Sequence, residues 1–336
     1  MTADRFLVTA FDDERNWQTC LQSLPITNLF LTWAWGEYKA RTGWKVSRLR
    51  ICSPTNESIS ACLQLQEKRI GPARIFMIQG GIQGSASTNP HLADIYQFLS
   101  SEYLSPGLFD LILVNHYTTN SSASALGLLQ AGYKPLLSTE MFTVVIRLGK
   151  PESSLRDGLS GNWRHNLSRA QKKSLSVRWP ATESERLQAL GSLRDYYRAL
   201  AGRKQFAEAI DLDAMATLIA ADPQFIIAEA ILDGSVIAVR VAHLSADHML
   251  DFLAASGDLA RNTYANYLLL WEMVKKANAL GKAYFECGGI DPRANPGVFN
   301  FKKGLGGECE VAGPLWVTTR TKLLSWLARS WISAGS

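Results

Sequence analysis

Residues 225–255 constrain the fold more than any other stretch. They read as three consecutive strands, 225–232, 235–244 and 249–255, joined by Asp233-Gly234 and by a tight Ser245-Ala246-Asp247 connection. Asp-Gly is a favoured two-residue hairpin turn, so the first two strands are antiparallel neighbours and the third continues a meander. The middle strand is apolar on both faces, the pattern of a strand covered on both sides. Arg240 interrupts one face, and a buried guanidinium requires a partner. If Leu244 pairs with Asp247, Arg240 falls opposite Asp251, and a buried ion pair is expected there. Residues 262–280 follow as a helix that is apolar on most sides, carrying Tyr264, Tyr267, Leu268, Leu269, Trp271, Met273 and Val274. Such a helix is buried against the sheet. The segment before it, 256–263, points backbone N–H groups past the third strand, a ready place for an anion.

Residues 286–308 come next, after an apolar β-like run at 283–287. They hold six glycines, two prolines and the adjacent pair Lys302 and Lys303. A strand ending in Gly288-Gly289, followed by a Pro-bounded turn, puts irregular backbone at a sheet edge, where α/β proteins keep ligands. The commoner use of such residues is tight turns and solvated lysines. Phe299 and Phe301 interleave with the basic pair and favour a site. Gly288, Gly289 and Asp291 are expected to shape this loop.

The first half reads as a strand at 6–10, a helix opened by Asp12-Asp13-Glu14, and a second helix at 30–44 stopped at Gly43. Strands at 46–52, 58–66 and 74–79, a helix at 91–103, a strand at 109–114, a helix at 122–131 and a strand at 141–148 complete it. Strands first and then alternating helices and strands imply a mixed sheet covered by helices, an α/β (α+β) class. Lys39, next to Tyr38, is either a solvated lysine or one that reaches a phosphate. At 336 residues the chain fits two domains, with a boundary near Pro151, hence 1–150 and 151–336. Residues 158–182 lack any acidic side chain but carry Arg164, Arg169, Lys172, Lys173 and Arg178, either a solvated helical face or an anion surface. Helices at 183–204 and 211–220 precede the meander. A final helix sets Leu323, Leu324, Leu327 and Trp331 on one side; it either docks on its own domain or rests on a membrane surface.

Hydrophobic content of 47% with 19% charged residues excludes general disorder, and a net charge of +5 suits an anionic partner. Five cysteines without a CxxC pair and five histidines without HExxH support neither a zinc site nor a disulfide framework. The N-terminus lacks the apolar core of a signal peptide, and no apolar run approaches the roughly 20 residues that span a bilayer. The expectation is a cytoplasmic chain, with the last helix as the candidate for peripheral contact at the inner face of the membrane.

The meander, the buried helix and the strand after it resemble the core of the GNAT acyltransferase fold. Gly288-Gly-Ile-Asp-Pro292, followed by Asn295-Pro-Gly-Val-Phe-Asn-Phe-Lys-Lys-Gly-Leu-Gly-Gly307, resembles the signature of the FemABX peptidyltransferases. Trp35-Gly-Glu-Tyr-Lys39, Trp163-Arg164 through Ala170-Gln-Lys172, and Arg203 before Phe206 extend the resemblance over nearly the whole chain. It implies two tandem GNAT-like domains and transfer of an amino acid from aminoacyl-tRNA to the stem peptide of a peptidoglycan precursor, a UDP-muropeptide or lipid II. It also implies that Lys39 and Arg203 hold the precursor's phosphates and that Lys302 sits at the reacting centre. Arg164, Tyr264, Asp291, Gly288 and Gly289 join them as candidate substrate contacts. No permanently bound cofactor is implied. Aminolysis of an activated ester needs positioning, an oxyanion stabiliser and loss of one amine proton, so a covalent nucleophile is not obligatory and Cys287 reads as core. No general base stands out. The chain departs from the family in having no charged coiled-coil insertion, and 256–263 lacks the glycine-bearing pyrophosphate loop of ordinary acetyltransferases. Two alternatives remain beside this reading: an acyl-CoA-dependent N-acyltransferase acting on a sugar, lipid or amino acid, and a non-catalytic module that binds tRNA or another anion through residues 164–178.

Overall fold

The computed structural model describes residues 6–320 apart from 23, 25–27, 57, 105–108, 116–121 and 205–210. The expected C-terminal helix lies outside the described residues. Two compact units form the chain, Met1–Met141 with Val311–Ser336, and Phe142–Glu310. The division therefore falls before Pro151. Residues 142–147 already pair in the second unit's sheet, with Arg147 opposite Tyr284 and Phe142 opposite Ile290. The chain's end is grouped with the first unit because residues 315–319 pair with a strand there.

The first unit runs β1 (Leu7–Phe11), α1 (Glu14–Gln22), α2 (Trp33–Arg41), β2 (Lys45–Cys52), β3 (Ser60–Ile70), β4 (Ala73–Gln79), β5 (Gln83–Gly84), α3 (Leu92–Leu104), β6 (Leu111–Asn115) and α4 (Ser122–Gln130). Its sheet order is β1-β2-β3-β4-β6 and then residues 315–319 of the final strand, with β4 and β6 parallel and the other neighbours antiparallel. Cluster residues from the strands, including Leu63, Phe76, Ile78 and Ile112, pack with Ile95, Tyr96 and Leu99 of α3 and Leu128 of α4. Helix starts are set by side-chain caps. Asp13 accepts from Asn16 N at 2.8 Å before α1, and Thr32 accepts from Trp35 N at 3.1 Å before α2. Gly43, at φ +85°, follows the end of α2, because the left-handed region suits glycine.

The second unit runs from β7 (Lys134–Arg147), entered at Phe142, through α5 (Glu152–Asp157), α6 (Gly161–Gln171), β8 (Leu175–Arg178), α7 (Glu183–Lys204), α8 (Leu212–Ala221), β9 (Phe225–Leu232), β10 (Ser235–Leu244), β11 (His248–Ser256), α9 (Asp258–Thr263), α10 (Ala265–Ala279), β12 (Tyr284–Ile290) and α11 (Pro296–Lys303) to β13 (Glu308–Thr319). Its strands follow the order β7-β12-β11-β10-β9-β8, with β11 and β12 parallel and the rest antiparallel. The meander is as expected, and α10 buries Leu269, Leu270, Trp271, Met273 and Val274.

Three expectations need correction. The helix at 262–280 is two, because Tyr264 adopts φ +60°, a left-handed value that no helix continues through. The basic stretch 158–182 is α6 and then the edge strand β8, where Arg178 pairs with the fully buried Glu229 at 2.6 Å and so is not free for an anion. Residues 286–308 are mostly regular. β12 continues through both glycines to Ile290, and Asn295, with Pro296 at the first helical position, opens α11.

One buried arginine holds α7, α8 and β9 together. Arg186 of α7 donates from Nε to Ala220 O at 2.7 Å, from Nη1 to Phe225 O at 2.9 Å, and from Nη2 to Asp222 O at 2.7 Å and Ile219 O at 2.5 Å. These are carbonyls at the end of α8 and the start of β9, where regular backbone pairing stops; Asp222 O also accepts from Phe225 N at 3.2 Å. Arg186→Met is therefore expected to destabilise the protein by about 3–5 kcal/mol, since the Ile219, Ala220 and Phe225 carbonyls lose the donor that Arg186 supplies. Chemical denaturation followed by fluorescence checks this, and Arg186→Lys, with no planar fork, is expected to recover only part of the loss.

Candidate functional site

The site begins with a bulge. The β7–β12 register shifts between Glu286 and Gly289, and Gly288 takes φ +68°. A Cβ there would lie 2.8 Å from Asp251 O, so any side chain would collide with the backbone of β11. Thr143 Oγ1 donates to Gly288 O at 3.0 Å and holds the bulge. The Gly289 carbonyl then accepts from Lys302 Nζ at 2.8 Å.

Helix α11 aims that lysine from a second anchor. Asp291 Oδ1 accepts from Arg293 N and Ala294 N, each at 2.8 Å, which tightens the turn and lowers the Asp291 pKa. At the far end, Trp163 Nε1 of α6 donates to Phe301 O at 3.0 Å, and Ser160 N donates to Gly304 O at 2.9 Å. The Trp163 ring meets Tyr267 at 5.0 Å and Phe301 at 5.9 Å. Gly306, at φ +86°, closes the turn so tightly that a Cβ would sit 2.0 Å from Gly158 O. The glycines of the motif thus let the α11–β13 turn lie directly on the α5–α6 backbone.

Lys302 lines a cleft of about 840 Å³ within the second unit, bounded by β10, β11, the α9–α10 junction and α11. Arg240 and Asp251 also line it, bonded to one another at 2.6 Å with both side chains nearly inaccessible. The expected pair forms, but Arg240 faces Ala254 and Asp251 faces Ala242, because a bulge after Val241 shifts the register. Asp251 Oδ1 and Arg240 Nε, both buried, have no hydrogen-bond partner among the described residues. Burial pushes the Lys302 ammonium below the ordinary lysine range, and the Asp251 carboxylate opposes that shift. A half-buried cation beside an open cleft can stabilise negative charge on a carbonyl oxygen more strongly than it could in water.

The other candidate residues are dispersed. Tyr264 lines the cleft, and its ring carries the Arg169 guanidinium at 4.4 Å. Gly288 and Gly289 build the bulge, while Asp291 is exposed in its turn and does not line the cleft. Arg164 is exposed on α6, donates to Asp157 O at 2.9 Å and is likewise not on the cleft wall. The Arg203 side chain lies outside the described residues. Lys39 belongs to the first unit, where its ammonium lies 4.8 Å from the Trp44 ring centre and 5.9 Å from that of Trp35. Burial and then Lys68 lower its pKa, the mark of a cation short of counter-charge. Cys287 is fully buried and its thiol is pushed up by burial, which fits core.

Glu286 went unnoticed in the sequence. Its side chain is buried, and desolvation raises its pKa from an ordinary 4.5 to about 7, with His248 and Thr143 opposing. It does not line the cleft. Nothing in a Phe-Glu-Cys triplet marks it, because its burial comes from long-range strand pairing. Among the described residues, no group of three or more His, Cys, Asp and Glu side chains could hold a metal, and no helix is long and apolar enough to cross a membrane.

Residues 161–303 match the family model of an acetyltransferase (GNAT) domain. They lie within the second unit, and the chain is an acyl-transferring enzyme. Among solved structures the chain is similar to FemX, with a TM-score of 0.79 and 14% identity over 96% of this chain and 100% of that one. It is also similar to a tandem GNAT protein from the clavulanic acid biosynthesis pathway, at TM-score 0.51 and 10% identity over 93% and 98% of the two chains. A third likeness is to the C-terminal domain of an Agrobacterium fabrum protein named as a lysylphosphatidylglycerol synthetase, at TM-score 0.54 and 14% identity over 85% and 88%. At these identities the likenesses establish the fold, a FemX-like tandem GNAT architecture. No curated protein matches the sequence.

The raised Glu286 pKa sets a pH dependence with a definite sign. Its neutral form is favoured in the folded state, so its contribution is fully present below about pH 4.5 and is lost as the pH rises through about 7. Glu286→Gln removes that loss. The variant is expected to gain stability relative to the parent between pH 5 and pH 8, by a difference on the order of 3 kcal/mol, measured by denaturant melts at both pH values.

Proposed function

We propose that this enzyme transfers an aminoacyl group from aminoacyl-tRNA to the amine of a peptidoglycan-precursor stem peptide, carried on a UDP-muropeptide or lipid II. The observation that carries this reading is Lys302, held at the cleft wall by the Gly289 carbonyl within the motif that resembles the FemABX signature. The whole-length likeness to FemX supports it.

In this reading the donor ester carbonyl lies against Lys302. The acceptor amine forms the new C–N bond, and Lys302 stabilises the oxyanion of the tetrahedral intermediate. Collapse breaks the ester C–O bond, and the proton lost by the amine ends on the departing ribose hydroxyl. Such a reaction needs alignment and charge stabilisation above all, and neither a metal nor a covalent enzyme intermediate enters this scheme. By the family resemblance, Lys39 is a candidate contact for the acceptor's phosphates.

The test incubates purified protein and a UDP-muropeptide with radiolabelled aminoacyl-tRNA or with acetyl-CoA. Transfer from aminoacyl-tRNA is expected, and Lys302→Ala is expected to lower kcat by roughly 10²–10³-fold with little change in precursor affinity. Lys39→Ala is expected to raise KM for the precursor while leaving kcat nearly unchanged. Transfer from acetyl-CoA alone overturns the donor assignment in favour of acyl-CoA chemistry. Absence of any transfer, with salt-sensitive tRNA binding retained, overturns catalysis.

A further inference from the structure

The first unit brings together two cysteines that are 42 positions apart in the chain. Cys20 of α1 and Cys62 of β3 place their sulfurs 3.1 Å from one another. Cys62 is almost wholly buried, whereas Cys20 is only half-buried and can be reached from outside. Around them, Trp17, Leu21 and Leu31 form a small apolar cluster, and Trp17 Nε1 donates to Leu31 O at 2.7 Å. The cluster fixes α1 on the sheet, so the two sulfurs meet through packing of rigid elements and not through a mobile loop.

We propose that Cys20 and Cys62 are a dithiol that oxidises reversibly to an intramolecular disulfide by exchange with low-molecular-weight disulfides. The geometry is close to what the bond needs. A disulfide is about 2.0 Å long, so the sulfurs have only about 1 Å to close, within reach of small χ1 rotations and a slight shift of α1. The division of labour follows from exposure and charge. The two thiols share a hydrogen bond, and Arg50 on the neighbouring strand adds positive potential; the Cys20 thiol is pushed down to about 7, while that of the more deeply buried Cys62 is pushed up. Cys20 is therefore the attacking thiolate and Cys62 the resolving thiol.

Each step balances. Cys20 Sγ attacks one sulfur of the external disulfide, expels one thiolate and leaves a mixed disulfide on Cys20. Cys62, giving up its proton, then attacks Cys20 Sγ and expels the second thiol. Two protein thiols lose two electrons, and one external disulfide gains them and becomes two thiols. The product ties α1 to the central strand β3 just ahead of α2, the helix that carries Lys39. Cys52 of β2, opposite Ser60 of β3, is the competing thiol of the same sheet region, with its Sγ 3.5 Å from Ser60 Oγ. This inference is independent of the proposed reaction.

The experiment uses the full-length chain with Cys309→Ser, which removes an exposed thiol. Reduced protein is incubated with oxidised glutathione at pH 8, denatured, alkylated with iodoacetamide and weighed intact. The number of alkylated thiols is expected to fall by two relative to reduced protein, digestion is expected to yield a Cys20–Cys62 linked peptide, and dithiothreitol should restore full alkylation. Closing a loop of this length is expected to raise Tm by roughly 5–10 °C, a shift that Cys20→Ser abolishes. Full alkylation after oxidation, a Cys52–Cys62 linkage, or a glutathione adduct that persists on Cys20 overturns the proposal. Because Cys62→Ser alters a buried position, the mapping on unsubstituted Cys20 and Cys62 decides the question.

Discussion

The contact of Gly288 with the backbone of Asp251 is the constraint on which the site depends. Only a residue without a Cβ fits between β12 and β11 there, and its left-handed conformation bulges the strand. The bulge presents the Gly289 carbonyl to Lys302 and fixes one end of the lysine's position. The other end is fixed by α11, whose last turn is clamped to α6 through Trp163 and through backbone bonds that only a glycine-rich turn can reach. Lys302 is thus held from two directions within the fold.

Charge burial is the second theme of this unit. Arg240 and Asp251 neutralise one another in the cleft wall, yet each keeps one polar atom without a partner. A buried pair of this kind contributes little net stability, since desolvation offsets much of the Coulomb gain. Beside Lys302, the Asp251 carboxylate opposes the effect of burial on the lysine. Arg178–Glu229 and Arg186 show the contrasting use, in which basic groups of the same unit are consumed by structure.

The first unit carries its polarity differently. Lys39 lies between Trp35 and Trp44, and Arg48 lies over Trp33 at 3.5 Å while pairing with Glu37. Aromatic rings hold these cations on α2 and β2 without neutralising Lys39, which leaves it electrostatically disposed toward an anion. The thiol pair joins α1 to β3, and α1 precedes α2, the helix that carries Lys39.

Much of this was legible in local sequence. Asp233-Gly234 and the apolar strands around it specify the meander, and Asp13 and Gly43 mark helix ends, because turns and caps are decided by residues within a few positions of one another. The motif from Gly288 to Gly307 offers Lys302 as a candidate, and the structure sets that residue on the cleft wall. Tertiary structure decided the rest. It turned the presumed loop at 286–308 into a bulged strand and a capped helix, broke the long helix at Tyr264, and moved the Arg240–Asp251 pairing by a bulge. It also assigned Arg178 to an ion pair, buried Glu286, and brought Cys20 within 3.1 Å of Cys62. Register shifts, desolvation and contacts between residues 42 positions apart depend on which elements pack together, and that information is not local to any stretch of the chain.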